Sequence, residues 1–306
     1  MEPAGAEARP VLTVIRGKDS MKEISSSENP SVKKLAALGQ KKQRDKLGLY
    51  VAEGPNLVRE ALDAGVTPEA VFFRRSVFSG KGEGGSPGEE KARGPGEYAA
   101  LLERLSQSPG KTAVISLEDE VFHRAAQTET PQGVMAIVPK RTWTPEAFFG
   151  VDGNGGNVLV LDRLQDPGNL GTVLRTARGA GFQGAVVMKG CGDLYSPKVV
   201  RACAGTLFWL PALFCDRPED ALALLRAWGK RVFASALKDS RIYYKCDLRE
   251  NVALVIGNEG NGVCQAFLAG AEERLTIPME GGQESLNAAV AAGILMYETV
   301  RQRNGG

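Results

Sequence analysis

NVLVLDRLQDPGNLGTVLRTARGAGF, residues 157–182, is the stretch that decides the fold. Val158–Leu161 form a short unbroken apolar run, which halts at a crowd of polar and turn-forming residues from Asp162 to Asn169. Apolar side chains then recur at helical spacing through Ala180. A run of this kind reads as a strand buried on both faces, and a strand feeding a helix through a short loop is half of a parallel βαβ unit. The pattern recurs downstream. Strands are expected at Ala185–Met188, Val232–Ala234, Ala253–Ile256 and Leu275–Ile277. Helices are expected at Leu170–Ala180, Pro197–Thr206, Glu219–Trp228, Val263–Ala269 and Leu286–Arg301. Such alternation makes an α/β domain with a parallel sheet covered on both faces.

Ligands of these sheets sit beyond the carboxyl ends of the strands. Those ends carry Asp162–Asn169, Gly257–Gly262 and Pro278–Ser285. In the first loop Asn169 is expected to cap the helix that carries Arg175 six residues later. By composition alone Arg175 is a solvent-facing helix residue. The second loop, IGNEGNGV at 256–263, is neither a dinucleotide fingerprint nor a phosphate-binding P-loop. Glu259 would repel a phosphate there, so the loop suits a neutral or cationic ligand. In the third, IPMEGGQESLNAAVAAGILMYETV at 277–300, Ser285 is expected to cap the last helix. From Leu286 to Tyr297 only Asn287 is strongly polar, so that helix belongs in a core or a subunit interface.

Upstream the pattern is looser. Residues 31–48 read as a short helix and loop bearing Lys33, Lys34, Lys41, Lys42, Arg44 and Lys46. A helix is expected from Pro55 to Gly65 and another over Glu97–Leu105, with strands at Val71–Phe73, Val114–Leu117 and Gly133–Val138. The Gly-rich, charged run 79–97 reads as a flexible loop, residues 1–20 as an extension, and 140–156 as a linker closing on the turn-rich run Asp152–Asn157. The expected division is 1–20, a first domain at 21–139, the linker, and a second domain at 157–306.

Bulk properties exclude several classes. With 306 residues, 43% hydrophobic and 24% charged, the chain has an ordinary globular composition, and a net charge of +2 makes any basic surface local. No apolar run approaches the roughly 18 residues of a membrane span. His123 is the only histidine, which removes sites that need several histidines, and it reads as an ordinary surface or packing residue. Cys191, Cys203, Cys215, Cys246 and Cys264 form no C-x-x-C pair and read as reduced thiols of a cytoplasmic protein, without metal.

Taken together, the N-x5-R of Asn169 and Arg175, the G-N-E-G-x-G of 257–262 and the I-P-M-x5-S-L-N of 277–287 resemble the three motifs of the SpoU/TrmH branch of the SPOUT methyltransferases. The resemblance covers roughly 157–303 and implies a SPOUT domain with a C-terminal trefoil knot. Residues 21–138, through Tyr50-Val51-Ala52-Glu53-Gly54, resemble the ribosomal-protein-like α/β RNA-binding domain that many members carry first. The family implies methyl transfer from S-adenosylmethionine to a ribose 2′-hydroxyl, in ribosomal RNA ahead of tRNA, by a homodimer. It implies that backbone at Ala236, Leu237, Gly257, Asn258 and Gly260 holds the cofactor, with Ile277, Met279 and Leu286 around its adenine. Arg175 would be the main catalytic residue, assisted by Asn169, Glu259, Ser285 and Asn287. A charged guanidinium is a poor base, so Arg175 suits a donor that stabilises the developing alkoxide; the family also allows it as a base. The basic cluster at 33–46, Arg74–Arg75, Lys140–Arg141 and Arg201 are candidate phosphate contacts. A base-nitrogen methyltransferase, an inactive RNA-binding protein and a nicotinamide oxidoreductase are the rivals. The intact five-residue set and the missing fingerprint count against them.

Overall fold

Residues 21–78, 95–107, 111–150, 156–280 and 285–305 are described by a computed structural model. The extension 1–20, most of the loop 79–97 and the turn-rich run through residue 155 lie outside the described residues. The chain divides into two compact units, one ending at Lys140 and one starting at Arg141.

The first unit runs β1 (Lys22–Ile24), α1 (Pro30–Ala37), α2 (Lys41–Leu47), β2 (Leu49–Glu53), α3 (Pro55–Asp63), β3 (Ala70–Arg74), α4 (Pro95–Gln107), β4 (Ala113–Leu117), α5 (Asp119–Ala125) and β5 (Val134–Pro139). Its sheet has the order β1-β4-β3-β5-β2, with β5 antiparallel to β3 and to β2 and the other pairs parallel. Leu35, Leu38, Phe72, Phe122 and Met135 fill its core. The short helix and loop expected over 31–48 are two helices. Arg44 on α2 is buried at 3% exposure and donates from Nη1 to the carbonyls of Leu38 and Gly39, between the two helices, both at 2.7 Å. It closes the α1–α2 turn and is not a phosphate contact, a correction to the basic cluster. Lys41, Lys42 and Lys46 remain exposed on α2.

The second unit runs α6 (Pro145–Phe149), β6 (Val158–Leu161), α7 (Pro167–Gly179), β7 (Gly184–Met188), α8 (Pro197–Ala202), β8 (Ala212–Cys215), α9 (Pro218–Ala227), β9 (Arg231–Ser235), β10 (Arg241–Ile242), β11 (Val252–Ile256), α10 (Gln265–Gly270), β12 (Glu273–Thr276) and α11 (Ala288–Arg303). Its seven strands lie in the order β10-β12-β9-β11-β6-β7-β8, every pair parallel. β6 and β11 are buried along their whole length, which is why both are plain apolar runs. Within the stretch expected as a linker, α6 sends Phe148 and Phe149 into the core with Val158, Val160 and Val232. The segment is thus anchored in the core through Phe148 and Phe149. β8 and β10 add two strands to those expected.

After β12, near the sheet edge, the chain returns as α11, which packs on α7 and β11. Helix α11 is fastened at both ends. Asn287 caps its start. Near its end, Gln302 donates to the Cys246 carbonyl at 2.9 Å and accepts from Leu248 N–H at 2.8 Å, and Arg303 donates to the Ala180 carbonyl at 2.6 Å.

Candidate active site

The strand-end loops meet through side-chain amides and one carboxylate. α7 starts three residues earlier than expected because Asp166 precedes Pro167. Asp166 accepts the Asn169 N–H at 2.7 Å and is the cap, so Asn169 lies in the first helical turn. Freed from capping, the Asn169 carboxamide bonds both ways. Its Nδ2 donates to Glu259 Oε1 at 3.2 Å, and its Oδ1 accepts Asn287 Nδ2 at 3.0 Å. Asn287, rather than Ser285, caps α11: its Oδ1 accepts the N–H groups of Ala289 at 2.9 Å and Val290 at 3.3 Å. Ser285 is exposed two residues earlier. One chain of hydrogen bonds, Asn287 to Asn169 to Glu259, therefore ties all three loops.

Glu259 also accepts the backbone N–H of Asp166 at 3.0 Å and of Gln165 at 3.3 Å. Desolvation pushes its pKa up, but its own backbone N–H, that of Asp166 and the Asn169 amide outweigh this and hold it below the ordinary 4.5. A carboxylate held ionised by so many donors is a clamp and a weak base. Asn258 shapes the same loop, its Oδ1 accepting the N–H groups of Gly260 and Asn261, both at 3.0 Å. The loop closes on itself through Asn258 N–H to the Gly262 carbonyl and the reverse. At Gly257 a Cβ would lie 2.2 Å from Gly262 C and Val263 N, so only glycine permits this turn.

Asp162 and Arg163 also act here, as the sequence reading did not foresee. Buried Asp162 accepts Cys264 N–H at 2.6 Å and Arg163 Nε at 2.9 Å, while the Arg163 carbonyl accepts Asn258 Nδ2 at 2.9 Å. Arg163 holds a left-handed φ of 60° to do so, an unusual conformation for a side-chain-bearing residue. An aspartate at the very end of an apolar strand was the available cue.

Around these loops stand large apolar side chains. Leu237 is 62% exposed and Leu286 36% exposed, with Ile277 and Met279 half-buried. Ala236 N–H is bonded to the Leu275 carbonyl at 2.9 Å, which fixes the start of the 236–240 loop beside β12. Gly260 faces open space but for Asn258 Oδ1 at 3.7 Å from a built Cβ.

Arg175 is not brought to this network. It is exposed on α7, on a solvent ridge with Thr172, Arg178 and Gly179. Six residues from Asn169 is about 120° around the helix axis and about 9 Å along it. Arg175 makes no hydrogen bond or ion pair among the described residues. Among those residues there is also no cluster of three metal-ligating side chains, and no helix is long and apolar enough to cross a membrane.

Comparison with known proteins agrees with this geometry. Residues 156–297 match the SpoU rRNA Methylase family and residues 29–136 the MRM3-like substrate binding domain. The chain is 32% identical over 278 residues to the 23S rRNA (guanosine(2553)-2′-O)-methyltransferase RlmP of Bacillus subtilis, covering 90% of this chain and 98% of that protein. It is 29% identical over 319 residues to the human mitochondrial rRNA methyltransferase 3, covering 86% and 70%. Among solved structures, the AdoMet-bound rRNA methyltransferase of Sinorhizobium meliloti superposes with a TM-score of 0.78 at 30% identity, over 92% of this chain and 98% of that one.

Proposed function

The chain belongs to the SpoU rRNA methylase family, and from that we propose that it transfers a methyl group from S-adenosylmethionine to a ribose 2′-hydroxyl of ribosomal RNA. The observation that carries this reading is the Asn287–Asn169–Glu259 chain at the strand ends, which builds one site from three separate loops.

The residues present suit the cofactor. Exposed Leu237 and Leu286, with Ile277 and Met279, offer apolar surface to a flat adenine, and the bare backbone of Ala236, Gly257, Asn258 and Gly260 offers close approach. Bound S-adenosylmethionine supplies a methyl group on a good leaving group, so the protein must orient the ribose and draw off charge from its hydroxyl. Arg175 is the group for that task, donating to the oxygen as charge develops and gripping the adjacent phosphate. Glu259 positions Asn169 and the first loop. Asn287 positions Asn169 from the other side, and Ser285 lies on the exposed approach to the same loop.

The working unit is a homodimer. Arg175 points away from the network of its own chain. Val290, 52% exposed, half-buried Ile294 and Tyr297, 53% exposed, form an apolar stripe on α11 next to α7. Pairing these faces covers the stripe and offers Arg175 to the site of the other copy. The return from β12 to α11 is the passage we assign to the trefoil knot. We assign residues 21–139 to RNA binding, where Lys41, Lys42 and Lys46 present an open basic helix, and 157–306 to catalysis, extended by the core helix α6. The place of action is the cytoplasm, where reduced thiols persist.

The test is methylation of in vitro transcribed large-subunit rRNA with labelled S-adenosylmethionine, followed by mapping of 2′-O-methyl positions and calorimetric titration of S-adenosylmethionine and NAD. Transfer to base nitrogens, or NAD binding without response to S-adenosylmethionine, would overturn the reading.

A further inference from the structure

One exposed surface of the second unit continues from Arg175 beyond the site described above. α7 and α8 pack closely: at Gly171 a Cβ would lie 2.3 Å from that of Ala202. Their outward faces carry Thr172, Arg175 and Arg178 on α7 and Lys198 and Arg201 on α8. Neither helix contains an acidic residue. Just past α8 the chain makes a sharp reversal, with Ala204 at φ 47° and Gly205 at φ 85°, into a 3₁₀ turn over Thr206–Phe208. A left-handed alanine is unusual, so the surrounding packing must impose it. The turn delivers Trp209, which is 41% exposed. Arg178 lies over its ring, with the guanidinium carbon 4.9 Å from the centroid. Arg178 is one turn beyond Arg175 on the same ridge of α7.

Trp209 thus stands exposed beside Arg178, next to two helices whose charged residues are all cationic. Cations along a groove with an aromatic ring among them is the arrangement by which proteins hold single-stranded nucleic acid: phosphates meet the cations and a base stacks on the ring. The guanidinium over the indole keeps the ring oriented and adds its own stacking surface.

We propose that Trp209, backed by Arg178, is a stacking platform for an unpaired base of the RNA substrate and so positions the strand whose ribose reaches Arg175. This rests on the rRNA methyltransferase reading above. Trp209 is a positioning and affinity residue, and takes no part in the transfer itself.

The experiment uses the full chain as wild type, Trp209→Ala, Trp209→Phe and Arg178→Ala. The chain has three tryptophans, and Trp143 and Trp228 pack against the core of the second unit, so quenching on addition of a single-stranded oligoadenylate should report mainly on Trp209. We expect quenching with the wild type, weaker quenching with an RNA duplex, and its loss in Trp209→Phe. On in vitro transcribed large-subunit rRNA, Trp209→Ala should raise KM about 5- to 150-fold with kcat at saturating RNA and S-adenosylmethionine affinity unchanged. Trp209→Phe should recover most of that loss, and Arg178→Ala should show a smaller rise in KM. If Trp209→Ala is poorly folded, the Phe and Arg178 variants decide. Wild-type KM in Trp209→Ala, undiminished quenching in Trp209→Phe, or a change of sedimenting mass in any variant would overturn the platform. A wild type that methylates no rRNA would instead overturn the functional reading.

Discussion

If Arg175 serves the site of the opposite protomer, two dead variants should rescue each other when mixed. Arg175→Ala removes a donor aimed at developing charge, a loss of about 10²–10³ in rate. Because Arg175 is exposed and bonded to nothing among the described residues, its removal should leave stability within about 0.5 kcal/mol and cofactor binding intact. Gly257→Ala attacks the other half of the site, since the added Cβ would meet backbone at 2.2 Å and displace the loop that holds the cofactor. Each variant alone is expected to be inactive. Mixing equal amounts under conditions that exchange protomers gives half mixed dimers. In each of these, one of the two sites combines an intact loop from one chain with an intact Arg175 from the other. The specific activity should therefore return to about a quarter of wild type, a consequence of two-fold symmetry alone. The assay is labelled-methyl incorporation into rRNA after exchange, with the dimeric mass of both variants checked by sedimentation. If Arg175 acts within its own chain, every site in the mixture lacks one half and no activity returns. That result, with exchange verified, would refute the reasoning.

Other consequences can be checked directly. Tyr297→Glu places a charge in the middle of the α11 stripe and should shift the protein toward monomer in light scattering, with activity lost in parallel. Arg44→Ala should lower stability by about 2–4 kcal/mol in denaturant melts, since it strips two charge-assisted hydrogen bonds from a buried turn, and should leave the salt dependence of RNA binding unchanged. Glu259 is held below its ordinary pKa, so its stabilising effect is complete above about pH 4.5 and disappears as the pH falls through the lowered value. Its titration should therefore leave kcat unchanged between about pH 5.5 and 8. An acid limb near neutrality that vanishes in Glu259→Gln would contradict a clamp and favour a base.

The central strands were legible because a strand buried on both faces must be apolar at every position, as β6 and β11 are. β8 escaped because it is an edge strand with Phe214 turned out to solvent, and β10 because two residues carry no period. The caps were misplaced for a local reason. Asp166 before Pro167 is the stronger start signal than Asn169, and Asn287 outcompetes Ser285 by standing directly before α11. Motif spacing identified the five polar site candidates, yet it could not say that Asn169, Glu259 and Asn287 bond in a row while Arg175 faces away. Helical geometry does say part of it, since six residues never share a face. Arg44 was read as surface because nothing in a run of lysines distinguishes the one side chain that turns inward.

Helix α11 also closes a mechanical circuit. From its Asn287 cap, hydrogen bonds lead through Asn169 to Glu259 and β11, and from Gln302, about 22 Å further along the helix, to Leu248, just upstream of β11. Arg303 adds a tie from the same end to the carbonyl that finishes α7, the helix on which Asn169 begins. The methyl-transfer site is thus one corner of a closed frame whose opposite corner lies among the last described residues of the chain. Trimming residues 301–306 cuts the frame far from the chemistry. Amide exchange at Gln165 and Asp166 should then quicken along with that at Leu248, although none of these residues has been touched.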